Sequence, residues 1–202
     1  PSLHPLGGRD VLTLSGAEQV ACYDAATGRP LWSVEGTTAA TCGTIVWEGD
    51  LIFASGGYPK AETVAVREAG GPGEPRGEVV WKNQQKCYEQ SMLVHAGYLY
   101  ALTDNGVLYC FRGADGQEMW RERLEGPVSA SPVLAGGHIY WANERGKHYV
   151  FKPNPERCEL VAENRLGDET FASPAVSGRH LFLRVATGAG AARQEFLYCL
   201  GE

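Results

Sequence analysis

The sequence has no long apolar run, no strong excess of one charge and no helical periodicity. No apolar stretch approaches the roughly 18 residues of a membrane-spanning helix, so the chain is predicted not to cross a membrane. Its 18 basic and 24 acidic residues give a formal net charge of −6, and this mild acidity argues against a nucleic-acid partner. The missing 3.6-residue apolar period excludes a helical fold.

Several signatures of catalysis and metal binding are also absent. The six cysteines include no CxxC, no CxxCH and no adjacent pair, which excludes zinc-ribbon, c-type haem and thioredoxin-like sites. No HExxH motif and no Ser-His-Asp arrangement is visible. We therefore assign no catalytic residue and no metal site, and an enzymatic role is disfavoured.

Glycine, in contrast, is abundant and marks a repeat. The chain contains 26 glycines, about twice the usual ~7%. Five times, a Gly-containing turn precedes a short apolar run, and these runs begin at Val11, Leu51, Leu99, Ile139 and Leu181. Each interval holds four short strand-like segments. Four strands in roughly 40 residues predict an all-β fold, a β-propeller of four-stranded antiparallel blades.

The repeat divides the chain into five predicted units. Their approximate bounds are 1–36, 37–84, 85–126, 127–166 and 167–202. The last unit is expected to lack its outer strand. The chain also begins at Pro1 without an initiator methionine, so a processed, excised or truncated product is expected.

The turn between the third and fourth strands identifies the repeat type. Cys22 to Trp32 resembles the tryptophan-docking motif of pyrroloquinoline-quinone (PQQ)-type propellers, and the third unit repeats it with Arg112 in place of the aspartate. In the fourth unit, Leu160 is expected at the tryptophan position. The resemblance implies a structural, blade-docking role for Asp24, Thr27, Gly28, Trp32, Trp81, Asp115, Gly116 and Trp120.

The resemblance also implies a larger ring. Propellers of this family usually have seven or eight blades, so five units suggest part of such a ring. A closed five-bladed ring and a ring completed by a second chain remain alternatives. An open arc would expose blade faces and a strand edge, and self-association is then expected.

The cysteines fall into two groups. Cys22, Cys110 and Cys199 occupy equivalent third-strand positions in different units, too far apart to pair, and are predicted to be small buried residues. Cys42 and Cys87 lie near first strands at the central channel. They could be free thiols, a pair across adjacent blades, or ligands, and a simple packing role is favoured.

Candidate binding residues lie on loops that enter the first strands, where propellers usually bind their ligands. The channel-mouth candidates are Cys42, Lys86, Cys87, Tyr88, Glu89, Gln90, Asp168 and Glu169. A second candidate surface is the side of the second-to-third-strand turns, which carries 104–105 and 143–145.

Two functions are weighed. The first is a non-catalytic scaffold, without cofactor, that binds a protein or small ligand. It is similar to the propeller lipoproteins of bacterial outer-membrane assembly, which implies a periplasmic or extracytoplasmic location. The alternative is part of a quinoprotein alcohol or sugar dehydrogenase, which would use PQQ with calcium. The sequence shows neither the adjacent cysteines nor the carboxylate and amide set common in such enzymes.

Overall fold

A computed structural model describes residues 1–71 and 73–201. Within these residues the chain forms five antiparallel sheets, and every sheet takes its strands in chain order. We call these sheets blades 1 to 5. The predicted all-β propeller of four-stranded blades is confirmed. The bounds of the five units stay a prediction, and two of the predicted units include Pro72 and Glu202, which lie outside the described residues.

The strands are short. Blade 1 contains β1 (Ser2–Leu6), β2 (Arg9–Gly16), β3 (Gln19–Asp24) and β4 (Pro30–Glu35). Blade 2 contains β5 (Val46–Glu48), β6 (Leu51–Gly56), β7 (Glu62–Ala69) and β8 (Arg76–Asn83). Blade 3 contains β9 (Leu93–His95), β10 (Tyr98–Leu102), β11 (Val107–Arg112) and β12 (Glu118–Arg123). Blade 4 contains β13 (Val133–Ala135), β14 (His138–Ala142), β15 (Lys147–Lys152) and β16 (Glu159–Arg165). Blade 5 contains β17 (Ala175–Ser177), β18 (His180–Thr187) and β19 (Gln194–Leu200), with a 3-10 turn at Gly190–Ala192.

The middle strands are buried on both faces because each inner blade is covered by two neighbours. In blade 3, four consecutive residues of β10 (99–102) and four of β11 (108–111) are buried. Such unbroken apolar runs, rather than strict alternation, are typical of strands covered on both faces. The fourth strands are more exposed, as β12 illustrates.

The apolar core lies between the blades. One cluster joins blades 1 and 2, a second joins blades 2 and 3, and a third joins blades 3 and 4. Among the described residues, no comparable cluster joins blade 4 to blade 5. The seam between these two blades therefore lacks the kind of buried apolar cluster described for the other three seams.

A ladder of hydroxyl groups connects the blades beside their first strands. The amide of Thr44 donates to Ser91 Oγ at 2.9 Å. The amide of Ser91 donates to Ser131 Oγ at 2.9 Å, and that of Ser131 donates to Ser173 Oγ at 2.8 Å. Each rung takes its donor from one blade and its acceptor from the next. The inner edges of blades 2 to 5 are thus held in one register.

The loops entering the first strands share one face with the second-to-third-strand turns. The amide of Val128 donates to the carbonyl of Asp104 at 3.1 Å, and the amide of Thr170 donates to the carbonyl of Glu144 at 3.2 Å. Treating these loops and turns as two separate surfaces was wrong, because in an up-and-down blade both connections return to the same end. We call this end the groove face.

The position of the fourth blade's missing tryptophan also needs correction. In blades 1 to 3 the fourth residue of the third strand pairs with the tryptophan, directly beside a β-bulge. The equivalent residue of blade 4 is Val150, and its partner is Ala162. Leu160 was therefore the wrong residue. The turn before β16 is longer than in blades 1 and 3, which shifts the tryptophan position along the sequence.

The cysteine prediction is confirmed for two residues and wrong for the third. Cys22 and Cys110 are fully buried. Cys199 occupies the same third-strand position but is exposed. Within the described residues no fourth strand pairs with β19, so nothing covers its outer edge.

Candidate functional site

The predicted docking tryptophans each reach the following blade. Trp32 Nε1 donates to Glu68 Oε2 at 2.8 Å, and Trp81 Nε1 donates to the carbonyl of Gly113 at 2.7 Å. Trp120 Nε1 donates to the carbonyl of Asn154 at 2.8 Å. These indoles combine a large apolar surface with one satisfied polar atom, as expected for side chains buried between two sheets. We propose that they dock one blade onto the next.

The turn before each docking tryptophan is closed by its own side chains. Asp24 Oδ1 accepts from the Thr27 amide at 2.8 Å and from the Thr27 hydroxyl at 2.6 Å. These two hydrogen bonds lower the pKa of Asp24. Gly28 follows with φ of +72°, a conformation that L side chains adopt at a cost. The arrangement sets the direction in which β4 leaves the turn.

The equivalent turn of blade 3 uses a different pair. Arg112 Nε donates to Asp115 Oδ1 at 2.9 Å, so the guanidinium and carboxylate occupy the positions of Asp24 and Thr27. Gly116 again has φ of +72°. The side-chain polarity is reversed while the turn geometry is kept, which is why the departure at Arg112 leaves the fold unchanged.

A groove with a volume of about 1090 Å³ crosses the groove face over blades 2 to 4. Its walls are the loops that leave β8 and β12 and the turns at 103–105 and 145–147. The charged residues that line it are Lys86, Asp104, Arg123, Glu125, Arg145, Lys147 and Glu163. The lining of the groove therefore carries charges of both signs.

The loop from Lys86 to Gln90 meets the groove at Lys86. Lys86 Nζ lies 3.2 Å from Asp104 Oδ2, and the Tyr88 amide donates to Asp104 Oδ1 at 2.8 Å. Gln90 is fully buried and donates through Nε2 to the carbonyl of Leu102 at 2.6 Å. The side chain of Asp104 thus fixes the loop, whereas Glu89 lies exposed beside it.

The two channel-mouth cysteines do not pair. Cys87 is buried, its Sγ lies 3.4 Å from the carbonyl of Leu102, and burial raises the pKa of its thiol. Cys42 is exposed, and its thiol lies close enough to the phenol to raise the pKa of Tyr88. Each of the six cysteines is a free thiol. Cys87 packs as a small apolar residue, which fits the favoured packing role.

Asp168 and Glu169 lie apart from the Lys86 loop. Asp168 Oδ2 accepts from the amide of Gly188 at 3.0 Å, and Glu169 Oε2 accepts from Arg193 Nε at 2.8 Å. Both partners belong to blade 5, and neither carboxylate lines the groove. The structure thus brings together Lys86, Tyr88 and Gln90 through Asp104, but not the two acidic candidates.

Sequence reasoning missed the centre of the groove. Lys147 Nζ lies 2.8 Å from Glu125 Oε1 and 2.7 Å from Glu163 Oε2, and these two carboxylates raise the pKa of Lys147. Lys147 begins β15 and Glu163 lies two residues before the end of β16, so their closeness at one end of blade 4 was a readable signal. Glu125 lies on the preceding loop and is joined to them only by the packing of blades.

No arrangement suited to a metal ion is present in residues 1–71 and 73–201. Among these residues, no three His, Cys, Asp or Glu side chains are grouped as ligands. The calcium of the alternative dehydrogenase would take carboxylate and amide oxygens beside the cofactor. Among the described residues, no set of three carboxylates is grouped in that way. The described residues also contain no helix with the length and apolar character needed to cross a membrane.

The chain is similar to a family of bacterial assembly factors. The family model of the outer membrane protein assembly factor BamB matches residues 60–153. BamB of Legionella pneumophila (strain Paris) is 26% identical over 113 residues, which are 55% of this chain and 29% of that protein. BamB of Burkholderia pseudomallei is 28% identical over 155 residues, 70% of this chain and 37% of that protein. The chain thus matches under two fifths of each of these relatives.

Solved structures support the fold. The crystal structure of BamB from Moraxella catarrhalis superposes with a TM-score of 0.68 at 14% identity, covering 97% of this chain and 60% of that one. The computationally designed Ika8 protein gives a TM-score of 0.69 at 11% identity, covering 90% of this chain and 54% of that one. The fold and the sequence matches confirm the resemblance to PQQ-type propellers.

Proposed function

We propose that this chain, a PQQ-type propeller similar to BamB, is a non-catalytic scaffold that binds a protein partner across its groove face. The observation that carries the proposal is the groove itself, which extends over blades 2 to 4 and is lined by seven charged side chains of both signs. Small-molecule sites are mostly apolar concavities, whereas a polar rim with many hydrogen-bonding groups suits a protein surface.

The groove is ordered before any partner arrives. Asp104 holds Lys86 and the amide of Tyr88, and Lys147 is held between Glu125 and Glu163. A pre-formed surface loses less conformational entropy on binding than one that must be ordered first. Partly exposed charges of this kind contribute more to partner choice and association rate than to affinity.

The similarity to BamB suggests the setting. Its relatives are named for outer membrane protein assembly, and the family match over residues 60–153 includes every residue that lines the groove except Glu163. We therefore propose a periplasmic location and a partner belonging to the outer-membrane assembly process. No cofactor takes part in this proposal.

Site-specific photo-crosslinking tests the proposal. A benzophenone amino acid is placed at Gln84, which lines the groove and is exposed, and separately at Arg29, which is exposed in the opposite, docking-turn end of blade 1. Each variant is mixed with detergent-solubilised outer membranes of the source bacterium and irradiated. Mass spectrometry is expected to identify an outer-membrane assembly protein bound at Gln84 but not at Arg29.

Two outcomes would contradict the proposal that a protein partner binds across the groove face. The first is equal products from Gln84 and Arg29, which would mean non-specific contact. The second is no product from Gln84 while a matched variant at Arg145, also in the groove, is equally silent.

A further inference from the structure

The seam between blades 4 and 5 differs from the other seams in two ways. Ala162 occupies the position at which blades 1 to 3 carry a docking tryptophan. The described residues also contain no apolar cluster that joins these two blades, unlike the three preceding seams. A pocket of about 270 Å³ lies at this seam.

The walls of the pocket are apolar. Blade 4 contributes the rings of Trp141 and Tyr149, and blade 5 contributes Leu181, Leu183 and Leu200. Trp141 Nε1 already donates to the carbonyl of Ala130 at 2.6 Å, and the Tyr149 hydroxyl accepts from the amide of Glu125 at 3.1 Å. The polar atoms of both rings are therefore occupied, and both rings are almost fully buried, with 0% and 1% of their surface exposed. The apolar surface left for a ligand comes from the partly exposed Leu181 and from Leu200.

The polar groups that line the pocket favour a ligand with a negative charge. His148, Asn164 and Arg165 line the pocket together with its apolar walls, and none of the described lining residues is a carboxylate. Arg165 is exposed and makes no ion pair within 4 Å among the described residues, although Glu125 is near enough to feel its charge. His148 is buried, with Nε2 3.5 Å from the hydroxyl of Thr170. An unpaired guanidinium with apolar neighbours is complementary to a carboxylate that carries a short hydrocarbon chain.

We propose that the pocket between blades 4 and 5 binds a small amphipathic carboxylate. The hydrocarbon chain packs against Leu181 and Leu200, and the carboxylate pairs with Arg165. The volume is below the usual 300–1,000 Å³ of pockets for drug-sized ligands, so a short chain is the appropriate size. The site is separate from the scaffold function, since a protein partner on the groove face does not need it.

Isothermal titration calorimetry with octanoate tests the site. Octanoate is expected to bind the unaltered chain saturably at one site, more tightly than octanol, which has the same chain length without the charge. Arg165→Glu should weaken octanoate binding at least fivefold and leave octanol binding within twofold. Arg157→Glu is the matched control, because Arg157 is exposed in the turn at the other end of blade 4. It should change neither affinity.

A second variant tests the apolar part of the pocket. Leu181→Trp fills the space and keeps Arg165 in the sequence, so both octanoate and octanol should lose binding while the circular dichroism spectrum stays unchanged. If that variant fails to fold, Leu183→Phe serves the same purpose with a smaller change in volume. The proposal is overturned if octanoate shows no saturable binding, or if Arg165→Glu and Arg157→Glu affect it equally.

Discussion

At the scale of single residues, Glu68 shows how one side chain joins two blades. Its Oε2 accepts from Trp32 Nε1 and from Arg9 Nη2, both at 2.8 Å, and both donors belong to blade 1. The carboxylate is largely buried, with about 10% of its side chain exposed. A carboxylate removed from water in this way requires its charged and polar partners. Glu68 therefore makes the first seam specific as well as tight.

His4 gives the same seam a dependence on pH. It is buried, stacks on Trp47 with ring centroids 4.7 Å apart, and places Nε2 3.1 Å from the Thr13 hydroxyl. Burial lowers its pKa below the ordinary 6.5, although the nearby charge of Glu68 partly opposes this. The unfolded chain then binds a proton that the folded chain does not. The contribution of neutral His4 to the free energy of unfolding should be fully present above pH 6.5. It should decrease as the pH drops below this value.

The protonation of His4 should contribute to the slope of the free energy of unfolding against pH. One extra proton in the unfolded state gives at most about 1.4 kcal/mol per pH unit. Urea unfolding of the His4→Gln variant between pH 5 and 7 should show a smaller slope than the unaltered chain. His148, whose pKa is also lowered by burial, should keep part of the slope in that variant. An unchanged slope in the His4→Gln variant would show that His4 does not contribute to the pH dependence of stability.

At the scale of elements, two equivalent turns allow the cost of the backbone conformation to be compared with the cost of disturbing the packing between blades. Gly28 and Gly116 both have φ of +72°. A Cβ atom at Gly28 would meet nothing within 4 Å, whereas one at Gly116 would lie 2.6 Å from Trp81 Cδ2. Gly28→Ala should therefore cost only the left-handed backbone conformation, about 1–2 kcal/mol. Gly116→Ala should cost at least ~1 kcal/mol more, because the ring of Trp81 must move.

The measurement is urea unfolding of both variants, followed by tryptophan fluorescence. The shared backbone conformation makes Gly28→Ala the matched control. Equal losses in the two variants would show that the packing of Trp81 on this turn adds nothing to stability.

The same elements show which features could be predicted from the sequence and which could not. The repeat of Gly-turns and apolar runs was enough for the blades, because strand pairing within a blade is local. The tryptophan position in blade 4 was missed because the turn before β16 is longer, and only the register of Val150 with Ala162 reveals it. The joining of 104–105 with the first-strand loops was missed because it depends on which connections return to the same end of a sheet. Lys147 and Glu125 meet only across two blades, which no local pattern records.

At the scale of the whole molecule, blade 5 presents apolar side chains to solvent. Leu197 is 71% exposed, and Phe196 and Leu200 are exposed by about two fifths. Within the described residues the outer edge of β19 has no strand paired with it. Exposed apolar surface beside an open strand edge favours pairing with another chain. We therefore expect the chain to self-associate.

Light scattering at micromolar concentration checks this expectation, with a reductant present because Cys42 and Cys199 are exposed. The mass should rise with concentration, and Leu197→Lys should lower it. Tyr58→Lys is the control, since Tyr58 is 65% exposed but lies in blade 2, far from β19 in the chain. A monomer mass at every concentration would reject the prediction.

The hydroxyl ladder repeats the same contact from one blade to the next. Each rung uses a backbone amide from one blade and a serine hydroxyl from the next, with the same polarity at every step from Thr44 to Ser173. The docking tryptophans of blades 1 to 3 point in the same direction along the series. A duplicated copy of blade 3 therefore carries both of its connectors with it. A second copy of blade 3 inserted after the first would therefore bring its own docking tryptophan and its own serine rung to the new seam.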